Sequence, residues 1–247
     1  NQSTAHVVAM TGSYFRGDNI PVLMDEDEAQ FTKVTYNYYE QLNGYKYLKS
    51  LGIGYHFYQG EYTNAVGEVL NSDQKTIIHI PHSGANESLK DKPREVDSII
   101  DVIGDFQSRD KDTGIIFIKR KNDNQIIKVA DLVTEGRERE QVLEYLRNMN
   151  KIDDVDIIIA MGMAIEGFDW PYCEHALTIG YRASLTQVIQ IIGRATRDSE
   201  NKEHSQFTNL ILEPDASSNK VSVSVNTMLK AISASLLMEQ VLAPNVD

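Results

Sequence analysis

The chain has 247 residues, 41% hydrophobic and 24% charged, with a formal net charge of −12. That length builds one large domain or one and a half small ones around an ample core, and the composition is that of an ordinary soluble globular protein. The acidic balance excludes a protein that grips nucleic acid over its whole surface, because phosphate binding is driven by cations, but it leaves room for a local groove.

No apolar run approaches the ~20 residues that a bilayer span needs. Asn1-Gln-Ser-Thr-Ala-His6 has no basic stretch followed by an apolar run, so no signal peptide is expected. A single cysteine, Cys173, rules out an intrachain disulfide and a cysteine-based zinc cluster, and suits a cytoplasmic protein. The six histidines show no metal-ligand spacing, so no metal site is expected; His79 and His82 read as strand-end residues.

In chain order, His6-Val-Val-Ala-Met10 predicts a strand that runs into the glycine-punctuated loop Thr11-Gly-Ser-Tyr-Phe-Arg-Gly-Asp18. Asp25-Glu-Asp-Glu28 follows an apolar run and mimics a strand ending in metal-binding acids. Pro21 is poor in a central strand, so the acids read as a solvated loop. Phe31-Thr-Lys-Val-Thr-Tyr36 predicts a strand, 38–49 a helix ended by Gly52, and 53–58 the next strand. Eight tyrosines lie between Tyr36 and Tyr62. Aromatic rings can stack on bases, yet tyrosine also fills half-buried faces, and packing is the favoured role here.

Thr76-Ile-Ile-His-Ile80 is a buried-type strand closed by Pro81-His-Ser-Gly84. A helix over 94–106 carries the core stripe Val96, Ile99, Ile100, Ile103 and Phe106. Gly114-Ile-Ile-Phe-Ile118 predicts a strand, and Lys119-Arg-Lys121 after it either meets phosphate or is a solvated strand end. A strand over 125–129 precedes a charged amphipathic helix over 134–147 with Val142, Leu143 and Leu146 facing inward.

Val155-Asp-Ile-Ile-Ile-Ala160 has the β-branched composition of a strand buried on both faces. It empties into Met161-Gly-Met-Ala-Ile-Glu-Gly-Phe-Asp-Trp-Pro171. Glycines there allow close backbone approach to a ligand, and ligands in open α/β sheets bind beyond the carboxyl ends of strands. Ser184 is placed to cap the next helix, with Gln187 closing a capping box. Leu185, Val188, Ile191 and Ile192 share one side of that helix; Gln187, Gln190, Arg194 and Arg197 share the other. Two guanidinium groups aligned this way can address one anion, and the plain alternative is a surface helix with solvated arginines. Gly193 costs about 1 kcal/mol against alanine in a helix, which points to close approach of a bulky group or to the helix end. A strand over 207–212, a loop over 214–219 and a last helix capped by Asn226 complete the chain.

Ala164-Ile-Glu-Gly-Phe-Asp-Trp-Pro171 followed by Gln190-Ile-Ile-Gly-Arg-Ala-Thr-Arg197 resembles motifs V and VI of superfamily 2 helicases and translocases, of the DEAD/DEAH-like and restriction type. Thr11-Gly-Ser-Tyr-Phe-Arg16 is similar to motif III, with Tyr14 where the family often has proline, and the strand ending near Ser83 is similar to motif IV. The resemblance implies an α/β fold: a RecA-like parallel sheet flanked by helices, preceded by the tail of a first lobe. The expected division is 1–35 for that tail, 36–75 for an inter-lobe linker, and 76–215 for the C-terminal lobe. Residues 216–247 form a helix that docks on the lobe or leads to a further domain.

The same resemblance implies roles. Arg194 and Arg197 are the arginine fingers that reach the γ-phosphate held on lobe one, and Gln190 senses that phosphate. Gly167, Asp169 and Gly193 stand on the nucleotide side, Asp169 also as a group that positions a finger. Thr11, Ser83, Ala164 and Ile165 line the nucleic-acid strand. No G-x-x-x-x-G-K-[ST] occurs in the sequence, so ATP and Mg2+ are expected on the first lobe and this chain alone should not hydrolyse ATP. The implied function is the C-terminal part of an ATP-dependent helicase or translocase. Its partners are nucleic acid, DNA ahead of RNA, and the first lobe of the same protein, with no membrane. Two other classes stay open: a degenerate helicase-like scaffold without ATPase activity, and an unrelated nucleotide-binding α/β domain with a chance GRxxR.

Overall fold

A sheet of eight strands organises the computed structural model, which describes residues 25–32, 34, 43–161, 168–180 and 185–213. The strands are β1 Ser50–Tyr58, β2 Thr76–Ile80, β3 Gly104–Arg109, β4 Ile116–Arg120, β5 Ile126–Asp131, β6 Ile157–Met161, β7 His175–Ile179 and β8 His204–Leu212. Their order is β1-β8-β7-β2-β6-β5-β4-β3. Pairing is parallel from β1 through to β5, while β4 runs antiparallel to both its neighbours. The helices are α1 Asp25–Glu28, α2 Tyr62–Val69, α3 Lys92–Ile103, α4 Arg137–Asn148 and α5 Leu185–Ala195.

The central strands are apolar almost without interruption because both of their faces are covered. Alternate residues feed two cores. Ile77, Ile158, Ala160 and Ala176 meet Val142 and Leu146 of α4 and Val188, Ile191, Ile192 and Ala195 of α5. Ile78, Ile80, Ile157, Ile159 and Leu177 meet Tyr62, Ala65 and Val66 of α2 and Val96, Ile99, Ile100 and Ile103 of α3. This is the expected α/β architecture, a mostly parallel sheet with helices on both faces.

Several local expectations are corrected by tertiary contacts. The helix expected over 94–106 starts at Lys92, with Asp91 accepting from the Arg94 N–H at 3.2 Å, and ends at Ile103. Phe106 lies on β3 and is 56% exposed, not in the core. Gly104 lets the chain turn directly into β3, since a Cβ there would stand 2.2 Å from the Lys119 carbonyl oxygen of β4. Of the helix expected over 38–49, residues 43–44 are helical, 45–49 are not and 38–42 lie outside the described residues, while Gly52 lies inside β1. The cause is non-local: the Asp198 carboxylate takes the N–H groups of Lys46, Tyr47 and Leu48 at 2.7–2.9 Å. The Glu203 carbonyl then takes those of Lys49 and Ser50. Phe31, Thr32 and Val34 are exposed and form no strand, and Asp25–Glu28 is a helical turn with Glu26 and Asp27 exposed.

The span anticipated as a linker, 36–75, contributes β1 and α2 to this sheet, β1 pairing with β8 along nine residues. Of the basic trio at 119–121, Arg120 is buried and bound internally. Its guanidinium donates to Asp73 at 2.5 Å, Asp123 at 2.5 Å and Gln125 at 2.6 Å. Its hydrogen bond to Asp123 and the neighbouring N–H of Gln125 hold the Asp123 carboxyl down at about 2. The expected elements at 6–18, the capping box at Ser184 and the last helix from Asn226 lie outside the described residues, or rest on side chains that do.

Candidate functional site

β6 ends at Met161, and after 162–167 the chain is described again from Phe168, running back along the sheet towards the start of β7 at His175. The residue before a proline is held extended, and Phe168-Asp-Trp170 ahead of Pro171 alternates accordingly. Phe168 and Trp170 are buried, whereas Asp169 between them is exposed.

α5 packs beside this segment. Val188, Ile191, Ile192 and Ala195 are buried, while Gln190 is exposed and Arg194 and Arg197 are half-buried on the other side. Spacings of four and three residues put these three polar groups on one face. The Arg194 guanidinium lies over the Phe168 ring, 5.8 Å from its centroid, a distance at which a cation is attracted by the ring quadrupole. Arg197 forms an ion pair with Asp169, the two side chains being 38% and 74% exposed. Ile77, Phe168, Trp170, Cys173, Arg194 and Arg197 line one small depression. Gly193 is open on its outer side, for a Cβ there would meet nothing among the described residues within 4 Å.

The turn that follows is anchored on two sides. Desolvation works to raise the Asp198 carboxyl, but the N–H groups of Leu48, Lys46 and Tyr47 outweigh it and hold it below its ordinary value. Lys202 is 4% exposed, and its ammonium donates to the carbonyls of Pro171 (2.8 Å), Cys173 and Ala195 (2.8 Å). Desolvation pulls its pKa down to about 8. Burial pushes the Cys173 thiol the other way, up to about 12, so this cysteine is an inert core residue.

The arginines do not sit beyond the carboxyl ends of the strands. α5 starts after the carboxyl end of β7 and, at 11 residues, is about 16 Å long. Its last turn therefore arrives at the amino ends, where Ser205, near the start of β8, donates to the Ala195 carbonyl at 2.6 Å. Ser83, exposed just past the carboxyl end of β2, is on the opposite edge. The loop bearing Ser83 rests on a buried carboxylate. Glu95 accepts from Tyr62 at 2.5 Å, Ser88 at 2.8 Å and Lys92 at 2.7 Å, and Lys92 also donates to the Pro81 carbonyl at 2.6 Å. Thr11, Ala164, Ile165 and Gly167 lie outside the described residues, so their places relative to Ser83 and the arginines are not part of this geometry. Sequence patterning did not single out Lys202 or Asp198, because nothing in their spacing marks the first as buried or the second as a backbone anchor. Among the described residues, no group of three or more acidic, histidine or cysteine side chains could hold a metal ion. No described helix is long and apolar enough to cross a membrane.

Residues 92–199, which take in α3 through the Phe168–Asp169–Arg194–Arg197 cluster, match the helicase conserved C-terminal domain. The chain carries a helicase C-terminal domain. Together with its flanks this helicase domain is 63% identical over 245 residues, 99% of the chain, to the Bacillus subtilis (strain 168) protein named "Putative ATP-dependent helicase YeeB". The chain spans 41% of the length of that relative. A solved structure, the Mss116p DEAD-box helicase domain 2 bound to an RNA duplex, is similar at 13% identity and a TM-score of 0.38, covering 74% of this chain and 69% of that one. The helicase domain match ends three residues before Lys202 and begins after β1, α2 and β2.

Proposed function

We propose that the chain is the C-terminal part of an ATP-dependent nucleic-acid helicase or translocase, and that Arg194 and Arg197 are its arginine fingers. The observation that carries this is the seating of both guanidiniums on the segment 168–169, Arg194 over Phe168 and Arg197 on Asp169. ATP and Mg2+ bind chiefly on a first lobe of the parent protein, since the sequence given has no phosphate-cradling G-x-x-x-x-G-K-[ST] loop. The half-exposed arginine pair fits a phosphate, and Asp169 occupies the anion position while the lobes are apart.

Phosphoanhydride cleavage depends on positioning and on neutralising the charge that spreads over the transferred phosphoryl group. An arginine presented across an interface contributes about 10³–10⁵ in rate, which is roughly 4–7 kcal/mol of barrier. When the lobes close, Arg197 exchanges the Asp169 carboxylate for the phosphate, Arg194 keeps its cation on the Phe168 face, and Gln190 meets the nucleotide. Ser83, exposed at the carboxyl edge, contacts the nucleic-acid backbone, a role the resemblance also gives to Ala164 and Ile165. Closing and reopening convert hydrolysis into stepping, because the closed state is favoured only while the differential contacts last. The restriction-type character of 11–18 favours duplex DNA over RNA.

The test is steady-state ATP turnover by the full-length protein with duplex DNA, single-stranded DNA and RNA in turn. Turnover stimulated by DNA, and abolished by Arg194→Ala or Arg197→Ala with nucleotide binding retained, is the expected result. Undiminished turnover in either variant contradicts it.

A further inference from the structure

Lys202 buries an ammonium with no carboxylate among the described residues in hydrogen-bond contact, an arrangement that costs several kcal/mol unless its donors are satisfied. An ammonium has three N–H donors, and the three carbonyls of Pro171, Cys173 and Ala195 match them. These acceptors are not scattered. Pro171 and Cys173 directly follow the Phe168–Asp169–Trp170 segment, and Ala195 lies between Arg194 and Arg197. One cation thus joins the two pieces of chain whose separation fixes where the guanidiniums stand. Ala195 is also the last residue of α5, where a cation complements the helix dipole, and Ser205 shares its carbonyl.

Stability alone would be served as well by an apolar side chain of the same length, since replacing buried charge by packed hydrocarbon is often neutral or favourable. What such a replacement cannot do is hold three carbonyls of two segments at fixed distances. Catalysis by positioned groups is sensitive to shifts of about 1 Å, which cost about 10²-fold. We propose that Lys202 is a positioning residue for the arginine fingers, acting by tying 171–173 to the end of α5 so that Arg194 and Arg197 stay on Phe168 and Asp169. This rests on the assignment of the two arginines made above.

The experiment uses the full-length protein and measures kcat and KM for ATP in wild type, Lys202→Met, Lys202→Gln and Arg197→Ala, each at a temperature where circular dichroism shows it folded. Lys202→Met keeps the length and removes every donor; Lys202→Gln keeps one donor group and serves if the methionine variant does not fold. The expected result is a fall in kcat of tenfold or more with KM for ATP changed less than threefold, the glutamine variant falling no further than the methionine one. A folded Lys202 variant with kcat within twofold of wild type, while Arg197→Ala is inactive, overturns the role of Lys202 alone. Unchanged kcat in Arg197→Ala as well overturns the arginine assignment beneath it.

Discussion

Gly193 stands one residue before Arg194, inside α5, with nothing among the described residues within 4 Å of where a Cβ would lie. In the chain by itself alanine should therefore be accepted, and helix propensity favours it by about 1 kcal/mol. Gly193→Ala is expected to raise the melting temperature of the 247-residue chain by about 2–4 °C, as read by thermal circular dichroism. In the full-length protein the same methyl group should lower ATP turnover, because the proposed assignment brings the other lobe and its nucleotide to the face beside the arginines. A destabilised chain, or an unaffected motor, would each refute one half of that expectation. The residues on the outer face of α5 were legible in sequence through their spacing. Their anchors were not: Lys202 and Asp198 acquire meaning only because residues 171–173 and 46–48 fold back against them.

At the scale of elements, the strands buried on both faces were readable from composition, β2 within its limits and β6 within two residues. β7 was not singled out, although it is wholly buried. Its His175 and Thr178 look polar in sequence, and only pairing with β8 shows their partners, Thr208 at 2.9 Å and Asn209 at 2.7 Å. The strand expected over 53–58 is β1, and only its first three residues, 50–52, were missed, for a related reason. Its approach has helical character in sequence, and carboxylate and carbonyl groups from 198 and 203 draw the backbone into an extended path instead. The network under the Ser83 loop belongs to this scale too. Glu95 is fully buried and serves Tyr62, Ser88 and Lys92 together; beside that carboxylate the Tyr62 hydroxyl, desolvated first and hydrogen-bonded second, is pushed well above its ordinary pKa. Glu95→Ala takes the shared acceptor from Tyr62, Ser88 and the half-buried Lys92 ammonium, which keeps only the Pro81 carbonyl and the Ser88 hydroxyl, and should cost about 1–3 kcal/mol, measured as a lowered urea midpoint. A shift below 1 kcal/mol would mean that α2, α3 and the 81–88 loop do not depend on that carboxylate.

For the whole molecule, the two-core sheet couples its stability to pH through His175. Desolvation lowers its pKa from 6.5 to about 4, so the folded state binds fewer protons than the unfolded state between those values. Stability therefore rises with pH across that window and is lost as pH falls through it, by up to about 3 kcal/mol. Equilibrium unfolding of the chain from pH 7 to pH 4 should show this acid limb, and His175→Gln should flatten it; an unchanged limb would place the proton elsewhere. On the proposed assignment the same sheet has two working edges, Ser83 beyond the carboxyl end of β2 and the arginine pair near the amino ends of β7 and β8. A resemblance carried by short motifs could not show that separation, since it depends on the length and direction of α5. It suits a lobe that meets nucleic acid at one edge and a nucleotide held by its companion at the other. The most direct measurement is single-turnover hydrolysis of bound ATP by full-length Arg197→Ala. The chemical step should slow by about 10³-fold or more with ATP affinity near that of the wild type, whereas a wild-type rate for that step would show that the guanidinium on Asp169 never reaches the phosphate.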